Sequence, residues 1–102
     1  METRYTAVHI SFPYETRMDD VMDDLIQEHL ETVYTKFEYL GSETDLETMQ
    51  KTSTYIIKYL EDVEHIIDDV LFDVADSLNG KVDLGWILGL TQEEAEDAGY
   101  AI

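Results

Sequence analysis

Carboxylates are the residues of this chain whose number and spacing invite chemistry. The 102-residue sequence holds 24 Asp and Glu against six Lys and Arg, for a net charge of −18. They gather in two runs. The first is Asp19, Asp20, Asp23, Asp24, Glu28 and Glu31; the second is Glu61, Asp62, Glu64, Asp68, Asp69, Asp73 and Asp76. Carboxylates three or four apart on a helix share a face, where they hold hard cations or attract basic surfaces. Asp62 and His65 have the spacing of a metal-binding pair. A carboxylate-bridged bundle site needs two such pairs and further inward acids. The other helical histidine, His29, is preceded at residues 26 and 27 by Ile and Gln. That set is incomplete, so neither metal nor cofactor is expected. There is no Cys, no Gly-x-Ser-x-Gly elbow and no phosphate-cradling glycine loop, so nucleophilic catalysis has no basis.

The best enzymatic alternative comes from Glu28-x-x-Glu31 and Glu61-x-x-Glu64. These pairs resemble the Mg²⁺-binding pairs of all-α nucleoside triphosphate pyrophosphohydrolases. In that family the second pair ends in Asp and a doubled Glu opens the first. This chain departs at both points and has no Lys or Arg cluster for a triphosphate.

The elements that would position these acids follow from periodicity. Val8, Ile10 and Phe12 alternate with Ala7, His9 and Ser11, which predicts a strand over residues 4–12, ended by Pro13. One strand needs a partner: Val82–Leu90, the tail, or the same strand of a second subunit. Thr16 with Asp19 reads as a capping box, and Val21, Met22, Leu25, Ile26, Leu30, Val33, Phe37 and Leu40 keep a helical period to Gly41. That predicts a first helix of about 24 residues, ~36 Å long. Thr44 with Glu47 reads as a second capping box. Leu46, Met49, Ser53, Ile56, Leu60, Val63, Ile67, Val70 and Val74 then repeat every 3.5 residues on average. They predict a second helix to Leu78, with Asn79-Gly80 as its stop, roughly 34 residues and ~50 Å long. After a glycine-punctuated apolar cluster, Thr91 with Glu94 is a third capping box that opens a short helix to Ala98. The expected fold class is therefore mainly α in a single domain: an N-terminal strand, a long antiparallel helix pair and a short C-terminal helical segment. The unequal helices and the unpaired strand point to a homodimer.

Both acidic runs fall on the outer faces of these expected helices. Asp19/Asp23, Asp20/Asp24, Asp24/Glu28, Glu64/Asp68 and Asp69/Asp73 are like pairs at i, i+4, each destabilising by roughly 0.2–0.5 kcal/mol. Asp73 and Asp76 lie near a helix C-terminus, where the dipole disfavours anions. Stability does not account for such a face. Each run places about one charge per 3 Å of helix axis, close to the ~3.4 Å spacing along one DNA strand. The expectation is a DNA mimic, a non-enzymatic inhibitor that occupies the phosphate-binding groove of a basic nucleic-acid-binding protein or nuclease. In size, acidity and lack of cysteine the chain resembles small phage proteins that block restriction or CRISPR enzymes. That resemblance implies an anti-restriction or anti-CRISPR role. An acidic interaction or assembly subunit without mimicry is the alternative. Tyr34, Tyr39, Tyr55 and Tyr59 are further candidates for interface anchors.

Other bounds are simpler. Adaptation to high salt would also enrich acids, but Ala is sparse here and Lys outnumbers Arg. The charge disfavours nucleic acid and anionic membranes as partners. No basic segment precedes a long apolar run, and no apolar run is long enough to cross a bilayer. A cytoplasmic protein is expected.

Overall fold

The computed structural model describes residues 2–13, 18–78 and 82–100. Strand β1 (Thr3–Pro13) leads to helix α1 (Met18–Leu30), then to strands β2 (Tyr34–Asp45) and β3 (Gln50–Leu60). A single 3₁₀ turn joins β3 to helix α2 (Glu64–Leu78), followed by strand β4 (Asp83–Leu90) and helix α3 (Gln92–Asp97). The strands form one antiparallel sheet in the order β2-β3-β1-β4. This is the β-α-β-β-α-β, ferredoxin-like arrangement of two interleaved split βαβ units. It overturns the expected mainly α class, because the segments expected at the heart of a helical hairpin are the paired strands β2 and β3.

The main core lies between the sheet and its two long helices. Val8, Ile10 and Phe12 of β1 and Tyr55, Ile57 and Tyr59 of β3 face Met22, Ile26 and Leu30 of α1 and Ile67, Leu71, Val74 and Leu78 of α2. The opposite face carries a smaller cluster, in which Tyr5, Ala7 and Ile56 meet Ala95 of α3, with Leu90 and Tyr100 beside them. So Ile56 and Ile57, adjacent in sequence, are both buried, one on each face.

Strand propensity explains the reversal. The β3 sequence QKTSTYIIKYL is rich in β-branched and aromatic residues, which fit a pleated surface better than a helix. β2 is tied to it by an aromatic ladder. Phe37 stacks on Tyr55 with ring centroids 5.5 Å apart, and Tyr39 meets Tyr55 at 5.4 Å. Gly41, expected as a helix stop, has φ +143° next to a register shift within β2. Thr44 and Glu47 do not cap a helix. They flank a hairpin turn in which Asp45 Oδ1 accepts the backbone N–H of Glu47, at 2.9 Å. Of the expected heptad stripe, Leu46 is 78% exposed on that turn, and Met49 and Leu60 are also exposed.

Other expectations fare differently. β1 is an interior strand that pairs with both β3 and β4, so the segment near Val82–Leu90 is one of its neighbours. The unpaired strand and the unequal helices that argued for a homodimer are therefore gone, since α1 has 13 residues and α2 has 15. The capping box on α3 is present, with Thr91 Oγ1 accepting the Glu94 N–H and Glu94 Oε1 accepting the Thr91 N–H, both at 3.2 Å. Gly99, at φ +79°, follows α3. The Thr16 cap and the Asn79-Gly80 stop lie outside the described residues.

Candidate functional site

Two crossovers put α1 and α2 side by side on one face of the sheet. Because β1 and β3 are antiparallel, the helices returning from them run in opposite directions. Each buries an apolar stripe and turns part of its acids outward. Asp20, Asp24 and Glu28 of α1 are exposed, as is Glu31 just beyond it. Asp69, Asp73 and Asp76 of α2 are exposed too, with Asp62 in the turn before it. Neither helix contains Lys or Arg, and the described bases, Arg4, Lys36, Lys51 and Lys58, all lie on strands. Among the described residues, α1 and α2 thus carry acids and no Lys or Arg, and the described Lys and Arg lie on the sheet beneath them.

The remaining predicted acids are placed otherwise. Asp23 is half-buried and engaged, and the side chain of Asp19 lies outside the described residues. Glu61 pairs with Arg4 at 3.5 Å, while Arg4 also meets Glu2 at 2.6 Å. Glu64 turns inward. Its Oε1 accepts from the Tyr59 hydroxyl at 3.5 Å and occupies the space beside Gly89, where an added Cβ would stand 2.7 Å away. Asp68 also turns inward and accepts the indole N–H of Trp86 at 3.1 Å. The second carboxylate run is therefore no continuous outward ribbon. At 1.5 Å per residue the helices are ~20 and ~22 Å long, well short of the expected ~36 and ~50 Å. The expected long helical ribbons of charge are therefore not formed.

The inward acids serve the fold. Tyr59 Oη is a junction that meets Thr6 Oγ1 at 2.8 Å and accepts the Gly89 N–H at 3.2 Å. It links β1, β3, β4 and the start of α2. Burial raises the Tyr59 pKa, because the phenolate would lose its water; the nearby Glu64 adds to the rise, while the bonds from Thr6 and Gly89 oppose it. Asp68 fixes the plane of Trp86, and Phe72 meets that indole edge-to-face with centroids 4.9 Å apart. Phe72 itself is 60% exposed. This Asp68–Trp86–Phe72 arrangement escaped sequence reasoning. A signal was present in the sequence, since Phe72 falls between Leu71 and Asp73, on the polar side of its own helix.

The open sheet face holds a second feature. His9 Nδ1 lies 3.1 Å from Thr54 Oγ1, and its Nε2 lies 3.4 Å from the Tyr100 hydroxyl. They border a shallow depression of about 480 Å³, walled also by Gly41, Glu43 and Thr52. Hydroxyls satisfy both ring nitrogens, so His9 serves to pin the C-terminal segment onto the sheet. Of the acid pairs compared with Mg²⁺-binding ones, the second is engaged within the fold, Glu61 by Arg4 and Glu64 by Tyr59, while Glu28 and Glu31 are exposed. Among the described residues no group of three or more His, Asp or Glu is arranged to hold a metal ion. Nor is any described helix long and apolar enough to cross a membrane.

No family model matches the sequence, and no curated protein matches it. Solved structures show the fold. An uncharacterized protein from Thermotoga maritima, TM1266, aligns with TM-score 0.51 and 10% identity, over 85% of this chain and 98% of that one. Gas vesicle protein GvpF from Anabaena aligns with TM-score 0.64 and 9% identity, over 87% of this chain. This chain spans about half of GvpF, 48% of its length.

Proposed function

We propose that the protein is a non-enzymatic interaction subunit that binds a basic protein surface through its acidic helical layer. The observation that carries this reading is the charge segregation. Asp20, Asp24, Glu28, Asp69, Asp73 and Asp76 are exposed on two adjacent helices that hold no Lys or Arg. A helix selected only for stability interleaves opposite charges at i, i+4; these helices place like charges there, at a cost of roughly 0.2–0.5 kcal/mol per pair. A complementary partner turns that cost into attraction and faster encounter. Basic surfaces of this kind are typical of nucleic-acid-binding proteins, and the reading places the protein in the cytoplasm beside them.

The test is a salt titration. A labelled lysine- and arginine-rich peptide and a panel of basic nucleic-acid-binding domains are titrated at low and high salt. They are titrated against wild type and against a variant carrying Asp20→Asn, Asp24→Asn, Asp69→Asn and Asp73→Asn. The expected result is binding that weakens steeply with salt and falls about tenfold or more in the variant. Equal binding by the two proteins would reduce the acidic layer to an ordinary solvated surface.

A further inference from the structure

We infer that the free edge of β4 is a strand-addition site for a basic extended segment of a partner protein, with Phe72 and Trp86 as its anchors. This rests on the acidic-partner reading and narrows it to one edge of the molecule.

The argument begins with backbone. Among the described residues β4 pairs only with β1; its register shift lies beyond Ile87, where Tyr59 takes the Gly89 N–H, so the other side of residues 83–87 has no backbone partner strand. Edge strands are usually blunted by charge, proline or irregularity. β4 reads DLGWILGL, and Asp83 is its only charged residue. Ile87 and Leu88 are both exposed on it. An apolar edge left open in this way is a template for another strand.

The side chains above the edge select what that strand carries. Phe72 lies on the outer side of α2, edge-on to Trp86, and the indole is held in place by Asp68. The indole is thus oriented before any partner arrives, which lowers the cost of ordering it. Asp69 and Asp76 stand three residues before and four after Phe72, on the same side of the helix. A strand added to β4 directs alternate side chains toward this layer. A Lys or Arg there lays its stem on the rings and brings its charge to Asp69 and Asp76. A second copy of this chain fits poorly. It would set one acidic α2 beside another, with a net charge of −18 on each chain.

The probe is a synthetic ten-residue peptide of alternating Lys and Val, compared with its Glu–Val counterpart and with two versions N-methylated on one or the other set of alternate residues. Trp86 is the only tryptophan, so its emission reports occupancy of the edge. The Lys–Val peptide is expected to shift that emission, and the Glu–Val peptide is not. One N-methylated register should bind about tenfold more weakly than the other, because it loses the donors that face β4. Phe72→Ala should weaken binding by about tenfold with an unchanged circular dichroism spectrum. Suppose both N-methylated peptides and Phe72→Ala bind like the parents, while neutralising Asp20 and Asp24 abolishes binding. The edge inference then falls and the acidic-layer reading stands. If no basic probe binds, both fall. Sedimentation showing a dimer that Ile87→Lys dissociates would assign the edge to a second copy and overturn the inference as well.

Discussion

The two outer strands of the sheet face the same physical problem and solve it differently. β2 has 12 residues, two register shifts against β3, and the charged side chains of Lys36, Glu38, Glu43 and Asp45. It is secured to β3 by Phe37, stacked on Tyr55, and by Tyr39, tilted against the same ring. It is a strand held from within and guarded from without. β4 has eight residues, one charge, and exposed Ile87 and Leu88. It is held through polar junctions instead: Tyr59 to Gly89 and Asp68 to Trp86. Two register shifts and four charged side chains make β2 a poor template for further pairing, whereas β4 carries a single charge and a single register shift, beyond Ile87. One edge is blunted by charge and irregularity; the other is more apolar and less interrupted.

The contrast can be broken first at the aromatic ladder. Tyr55→Ala removes the platform under both Phe37 and Tyr39 and opens a cavity at a position 1% exposed. A loss of about 3–5 kcal/mol is expected by urea denaturation. Amide exchange should quicken most along β2 and less along β4.

Tyr59→Phe acts on the other edge. It leaves the Gly89 N–H and the buried Thr6 hydroxyl without their shared partner, for an expected loss of about 1–3 kcal/mol. The same residue carries a pH signature. Its pKa is raised in the folded state from the ordinary 10.0. The folded protein therefore holds the phenolic proton more tightly than the unfolded chain. Stability from this source is complete below pH ~10 and is lost as pH rises through the folded value. Urea midpoints from pH 9 upward should fall in wild type, and the Tyr59→Phe protein should lack that component of the fall. An identical pH profile in both proteins would mean that the Tyr59 junction contributes nothing.

The smallest effect sharpens the account of the helical layer above β4. Asp73→Asn relieves the i, i+4 repulsion with Asp69 and removes an anion near the end of α2. A gain of roughly 0.3–1 kcal/mol is expected, and added salt should shrink it. A thermal melt that moves down instead would show that Asp73 makes a stabilising contact.

Parts of this fold were legible from residues alone. The alternation of Val8, Ile10 and Phe12 set β1 and its inward face, because burial alternates over residues 8–12 and so writes its period directly. Thr91 and Glu94 marked the start of α3, since a capping box is a local event. The stretches around α1 and α2 read correctly as amphipathic helices with outward acids, but both were extended into neighbouring strands. The cause lies in β3. It is covered on both faces, so Tyr55, Ile56 and Ile57 are all buried and the two-residue alternation disappears. What remains of the pattern also fits a helical stripe, and only the β-branched and aromatic content argues for a strand.

The candidate surface divides in the same way. That the helices carry unbalanced charge is a property of the sequence, since helical spacing alone decides which residues lie outward. Which acids remain available was decided by tertiary contacts: Glu61 is taken by Arg4, Glu64 by Tyr59 and Asp68 by Trp86. The exposed Phe72, its orientation by Trp86 and the open edge of β4 arise from residues far apart in sequence. Strand order places them together, and strand order depends on long-range pairing that no local period encodes.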